Sequence, residues 1–230
     1  MHLYAPHQAE AKHDLNKESL VSLTHLHIDQ GWLQPCRHLL SPHQNPRPDA
    51  EVSLLVIHGI SLPPGEFGGP WIDQLFLGKL DPTAHPYFAS LAGLQVSAHC
   101  LIRRDGELVQ YVSFDQRAWH AGVSCFAGRE ACNDFAIGIE LEGTDESGYT
   151  EAQYQCLVAV TRALQTHYPQ ITAERIVGHS DIAPGRKTDP GLSFEWAYYR
   201  QRIVHRHLHK LAQTLYTLTK ISTGYLGQPL

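Results

Sequence analysis

The chain carries 16 histidines in 230 residues, and their positions sort those that could do chemistry from those that could not. Seven fall before residue 50. Three more, His205, His207 and His209, sit beside Arg206 and Lys210. In a helix only His205 and His209 would share a face, and a solvated basic face explains that cluster better than a metal pair. Six remain: His58, His85, His99, His120, His167 and His179. His85 and His167 fall in helical stretches and suit surface or packing roles. His58 closes the apolar run Val52–His58, which reads as a strand buried on both faces. Ligands of open α/β sheets gather beyond the carboxyl ends of strands, so His58 is either a site residue or a satisfied histidine at the rim of the core.

His179 opens the segment GHSDIAPGRKTDPG (178–191), rich in Gly and Pro and preceded by a short strand at Arg175–Gly178. It offers His179, Asp181 and Asp189 as ligands, and Arg186 and Lys187 as cations. Two histidines and a carboxylate with one open position form a catalytic zinc set, although imidazole with carboxylate suits other divalent ions too. The competing interpretation is a surface loop with ordinary capping aspartates. The run FAIGIELE (135–142) adds a carboxylate. Period-2 alternation puts Phe135, Ile137, Ile139 and Leu141 on one face and Ala136, Gly138, Glu140 and Glu142 on the other. Small residues there leave room for a ligand or for a packed neighbour. Glu140 is the more interior carboxylate, and an interior carboxylate needs a partner or a raised pKa, as a general base near neutral pH does. Glu142, at the strand end, reads as a solvated charge.

The elements that must position these groups alternate between strand and helix. Residues 35–50 hold four prolines and read as a loop entering the domain. Pro70–Leu77 and Asp81–Leu91 can each start a short helix. Val96–Arg103 and Glu107–Ser113 flank Asp105-Gly106, a hairpin signal. Thr150-Glu151-Ala152-Gln153 is a capping box opening a helix to about His167, with Leu157, Val160 and Leu164 as its stripe and Pro169 as its end. Ser193 can cap a last helix running from Phe194 into the 210s. The expected fold is α/β: a single domain with a mixed central β-sheet flanked by helices. Residues 1–24 are polar and read as an extension.

Composition excludes several classes. Forty-three per cent apolar and 18% charged residues describe a globular protein. A net charge of −5 argues against nucleic acid as partner. No apolar run approaches the ~20 residues of a membrane helix, and residues 1–30 lack a secretory pattern, so the expected location is the cytoplasm, with no membrane partner. Five scattered cysteines without a C-x-x-C pair fit a reducing compartment; only Cys125 and Cys132 are placed to close a loop. Nothing in the sequence specifies an oligomeric state.

Six runs then carry a resemblance: VIHGISLPPGEFGGPWID, AHPYFASL, VSAHCLIRRDGELVQYV, RAWHAGVS, CNDFAIGIELEGTD and GHSDIAPGRKTDPG. In order and spacing, from about Asp29 to Arg202, the chain resembles the AmpD family. These are cytoplasmic zinc-dependent N-acetylmuramyl-L-alanine amidases acting on 1,6-anhydro-muropeptides in cell-wall recycling, with a fold shared with peptidoglycan-recognition proteins. The resemblance implies an extension over 1–24, a zinc amidase domain over 25–205 and a tail over 206–230. It implies one Zn²⁺ held by His58, His179 and Asp189, Glu140 as general base, and Lys187 as the cation beside the reacting carbonyl. Asp181 then becomes a loop cap. His99, Trp119 and His120 lie in matched runs, where they either line the cleft or pack. Family members tend to carry Asn where this chain has Gly59, and Arg where it has Gln95 and Ala131. An Arg absent from a peptide-binding cleft removes a bidentate partner for carboxylates. The implied substrate is a small molecule, an anhydro-muropeptide. The alternatives are an amidase of intact peptidoglycan, or a recognition module without catalysis, which typically lacks a ligand that this chain retains.

Overall fold

A computed structural model describes residue 23 and residues 25–204. Apart from residue 23, the extension over 1–24 and the tail over 206–230 fall outside the described residues, as do His205, His207 and His209. The chain divides into two compact units, one ending at Phe194 and one beginning at Glu195. In the second, residues 196–204 are helical.

The first unit contains strands β1 (His27–Asp29), β2 (Trp32–Gln34), β3 (Arg37–His38), β4 (Gln44–Pro46), β5 (Leu54–Ile60), β6 (Cys100–Ile102), β7 (Leu108–Gln110), β8 (Gln116–Ala118), β9 (Cys125–Phe126), β10 (Arg129–Glu130), β11 (Ala136–Glu142) and β12 (Ile176–Gly178). Its α-helices are α1 (Trp71–Phe76), α2 (Glu151–His167) and α3 (His179–Ile182). Six strands form one sheet in the order β12-β5-β11-β6-β7-β3. β12, β5, β11 and β6 pair in parallel, the β6–β7 pair is antiparallel, and β3 joins β7 in parallel. This is the expected mixed sheet.

The apolar runs become the central strands because both faces there are covered. Every residue of β11 is buried. On one face Leu54, Val56, Ala136 and Val177 pack with Ala121, Cys132 and Ile182. Further along the sheet Leu101 and Val109 pack with Ile72, Phe76 and Phe88. The capping box of α2 forms as expected: Thr150 Oγ1 accepts from the Gln153 N–H, and Gln153 Oε1 accepts from the Thr150 N–H. Gln153 Nε2 also donates to the carbonyls of Ile102 (3.1 Å) and Glu142 (2.9 Å). The cap thereby ties the helix start to the ends of β6 and β11. The hairpin at Asp105-Gly106 closes through a turn bond from the Gly106 N–H to the Arg103 carbonyl, with Gly106 at φ 88°, so the loop needs its glycine.

Four expectations about the elements are corrected. The strand with His58 continues to Ile60, because its bonding to β11 runs on to the Glu142–Ile60 pair. The helix expected from Asp81 is only a 3-10 segment at Pro86–Leu91. Pro86 holds His85 in extended backbone, and Asp81 spends its side chain on Thr83. The proline-rich 35–50 stretch supplies β3 and β4, which pair at the sheet edge and with β8, where proline is tolerated. The described helix after Ser193 starts at 196 rather than at Phe194, and the Ser193 hydroxyl donates to the Thr144 carbonyl.

Glu142 is not a solvated charge. It is 1% exposed, accepts from the N–H groups of Gly68 (2.6 Å) and Arg104 (3.2 Å), and lies 3.7 Å from Arg103. It pins the 61–69 loop and the hairpin turn to the end of β11. Glu142→Ala is expected to destabilise the protein by roughly 2–3 kcal/mol through the N–H groups it strands, measured by urea unfolding, with zinc uptake unchanged.

Candidate metal centre and active site

Three neighbouring strands deliver the site. β5 and β11 run parallel with His58 opposite Glu140. β12 pairs with β5 so that Gly178 lies opposite Ile57, and His179, the next residue, comes level with His58. In-register parallel strands point equivalent side chains to one face. His179, His58 and Glu140 therefore form one row across the sheet. Asp189 closes the row from the following turn, where its carbonyl accepts from the Ser180 N–H at 2.9 Å.

The three ligand candidates form a near-equilateral triangle. His58 Nδ1 is 3.0 Å from His179 Nδ1 and 3.2 Å from Asp189 Oδ2, and His179 Nδ1 is 3.1 Å from the same oxygen. A tetrahedral ion with bonds of about 2.0–2.1 Å has ligand–ligand edges of about 3.3 Å, so the triangle fits such an ion at one face. Two imidazole nitrogens and one carboxylate oxygen suit zinc. Asp181, the other carboxylate of the segment, accepts from the Gly178 N–H at 2.7 Å and caps α3, as expected.

The electrostatics divide the two carboxylates. Burial would raise the Asp189 carboxyl, but hydrogen bonds to His179 and His58 outweigh it and hold Asp189 well below the usual carboxylate range. Burial pushes Glu140 well above its ordinary value, the nearby Asp189 charge adds to the rise, and Lys187 opposes it. Glu140 Oε1 is 3.9 Å from His58 Nδ1, and its buried Oε2 has no hydrogen-bond partner. Burial lowers His58 to about 4, against the pull of Asp189, so its imidazole is neutral, the form that binds metal. Lys187 is exposed, and its charge is felt at both His58 and Glu140.

The remaining candidates separate. His120 Nδ1 is 3.0 Å from His58 Nε2, behind the ligand row. Its ring lies on Gly138, where a Cβ would come within 2.4 Å of Cγ, so the room left by that glycine holds a side chain. His99 is wholly buried between the Gly138 N–H and the Gln116 carbonyl, with no surface to offer a ligand. Trp119 is half-buried, donates from Nε1 to Asn45 Oδ1 at 2.6 Å and stacks on His43. Gln95 is exposed in the segment before β6, and Ala131 is exposed at φ 57°. At Gly59 a Cβ would lie 2.4 Å from the Tyr149 hydroxyl, which donates to the Pro190 carbonyl at 2.9 Å. In this chain Tyr149 fills the space beside Gly59. The sequence reading missed Tyr149, Asn133 and the Ala121 carbonyl, because their contacts run through backbone and loops that no spacing reveals.

The family model described as N-acetylmuramoyl-L-alanine amidase (Amidase_2) matches residues 48–192. The 1,6-anhydro-N-acetylmuramyl-L-alanine amidase AmpD of Citrobacter freundii is 68% identical over 174 residues, spanning 75% of this chain and 92% of that protein. AmpD of Escherichia coli (strain K12) is 67% identical over 174 residues, covering 75% and 94%. A crystal structure of a selenomethionine AmpD derivative superposes with a TM-score of 0.75 at 67% identity, covering 76% of this chain and 98% of the other. Fold, candidate site and these likenesses agree: the chain belongs to the N-acetylmuramoyl-L-alanine amidase family.

Proposed function

We propose that the protein hydrolyses the amide between the lactyl group of N-acetylmuramic acid and the L-Ala of the stem peptide, with a soluble 1,6-anhydro-muropeptide as substrate, in cell-wall recycling. The single observation that carries this reading is the row of His179, His58 and Glu140, closed by Asp189 and with one Glu140 oxygen unpartnered. The substrate assignment follows the activity named for the AmpD relatives. Among the described residues no helix is long and apolar enough to cross a membrane. All five cysteines are free, including exposed Cys125, which supports a reducing, cytoplasmic setting.

Zinc held by His58, His179 and Asp189 would supply Lewis-acid charge at the scissile carbonyl and lower the pKa of a water. Glu140 takes a proton from the attacking water. The same carboxyl then returns that proton to the departing nitrogen. The water oxygen bonds to the carbonyl carbon first, and the C–N bond then breaks as Glu140 gives the proton to nitrogen, leaving the lactyl carboxylate and the free amine of L-Ala. The Lys187 ammonium stabilises the negative charge that grows on the carbonyl oxygen.

The direct test is a mass-spectrometric digest of anhydro-muropeptide and of intact sacculi, each with and without a zinc chelator. Chelator-sensitive release of stem peptide from the soluble substrate alone is expected. Release from sacculi would move the protein to wall remodelling, and tight binding without release would make it a recognition module. Glu140→Gln is expected to lower kcat by about 10²–10⁴-fold. The same change removes a carboxyl whose pKa is raised on folding and which therefore costs stability as pH climbs above the ordinary carboxylate range. Chelator-treated Glu140→Gln should accordingly be more stable than wild type at pH 7, by about 0.5–2 kcal/mol in urea unfolding. Lys187→Ala should lower kcat more than it changes KM in steady-state kinetics.

A further inference from the structure

Both histidines of the row have their second ring nitrogen fixed by a single dipeptide. His179 Nε2 lies 3.1 Å from the Ala121 carbonyl. A carbonyl only accepts, so it favours the Nε2–H form of His179, the form that leaves the Nδ1 lone pair free for an ion in the triangle; Arg186 Nη2 lies 3.5 Å from the same Nε2. With an ion at its Nδ1, His58 would carry its proton on Nε2 and donate it to His120 Nδ1, 3.0 Å away. Residues 120 and 121 thus face the second nitrogen of both imidazoles, one through a ring and one through a carbonyl. Arg186, from the metal loop, adds Nη2 bonds to the Ala121 and Val123 carbonyls, both 2.6 Å.

Both N–H groups of the dipeptide are held by one side chain. Asn133 Oδ1 accepts from the N–H of His120 at 3.1 Å and from the N–H of Ala121 at 2.8 Å. Asn133 stands in the short 3-10 segment Cys132–Asp134, which leads into β11. Its own carbonyl, with that of Asp134, accepts from Nη1 of the buried Arg47. The clamp is therefore anchored to the strand that carries Glu140.

We propose that Asn133 is a positioning residue of the metal centre: by clamping His120–Ala121 it holds both ligand imidazoles in the tautomer and direction that the ion needs. This rests on the reading of His58 and His179 as metal ligands. Outer partners of ligand histidines are worth 10–100-fold in metal affinity, and here one amide oxygen governs two of them.

The test is the zinc dissociation constant of the full chain, by competition with a chromophoric chelator well below the melting temperature, for wild type, Asn133→Ala, Asn133→Asp and His120→Leu. Melting of the chelator-treated proteins reports the fold separately. Asn133→Ala and His120→Leu are expected to bind one zinc about 10–100-fold more weakly. Asn133→Asp keeps an acceptor for both N–H groups and should stay near the wild-type value. A purely structural role would move melting temperatures without separating Asp from Ala in zinc affinity, and that pattern would overturn the proposal. Wild-type affinity in both Asn133→Ala and His120→Leu would overturn it equally. If Asn133→Ala does not fold, His120→Leu decides by the same criterion. A wild-type chain that takes up no stoichiometric zinc overturns the ligand reading itself, a failure visible before any variant is measured.

Discussion

Parallel pairing of β12, β5 and β11 in one register sets His179, His58 and Glu140 side by side, and almost every other feature of the site serves that row. Polar groups buried at the centre of a sheet are costly unless each finds a partner. The surrounding loops supply those partners: Ala121 and His120 behind the imidazoles, and Asp189 in front of them. Glycine at 138 admits the His120 ring to the floor of the row. Two buried site atoms are left without a partner, the second oxygen of Glu140 and Nε2 of His120. Of the two, the Glu140 oxygen belongs to the row itself and is the acceptor that a reacting water needs.

The two carboxylates of the site occupy opposite electrostatic regimes. Asp189 is held ionised by two imidazoles, while Glu140, buried and facing the Asp189 charge, is pushed toward its protonated form. Pairs of titratable groups driven apart in this way mark a division of labour between a permanent charge and a proton carrier. One carboxylate suits a cation, and the other suits proton transfer. Lys187 stays exposed, so its charge reaches the site without the cost of burial.

Much of this was legible in the residues. The apolar run ending near His58, the alternation of FAIGIELE and the capping box at Thr150 each reflect a local period, and each appears as a strand or helix of the expected kind. Register did not show, because no local pattern says which residue of β5 faces Glu140. Glu142 was misread for a related reason: its partners come from the 61–69 loop and the hairpin turn, far away in sequence. His85 and Pro86 did carry a readable signal against a helix from Asp81, since the residue before proline avoids helical backbone. Asn133 left no trace of its role, because it acts on the backbone of two residues twelve and thirteen positions away.

The central claim is that this row, closed by Asp189, is a metal centre. Anomalous diffraction at the zinc edge from zinc-soaked crystals of the full chain tests it most directly. The account predicts one strong peak within about 2.0–2.2 Å of His58 Nδ1, His179 Nδ1 and an Asp189 oxygen, with Glu140 beside it and outside the ligand set. A saturated crystal whose zinc lies elsewhere, or whose triangle stays closed on itself by hydrogen bonds, would contradict it.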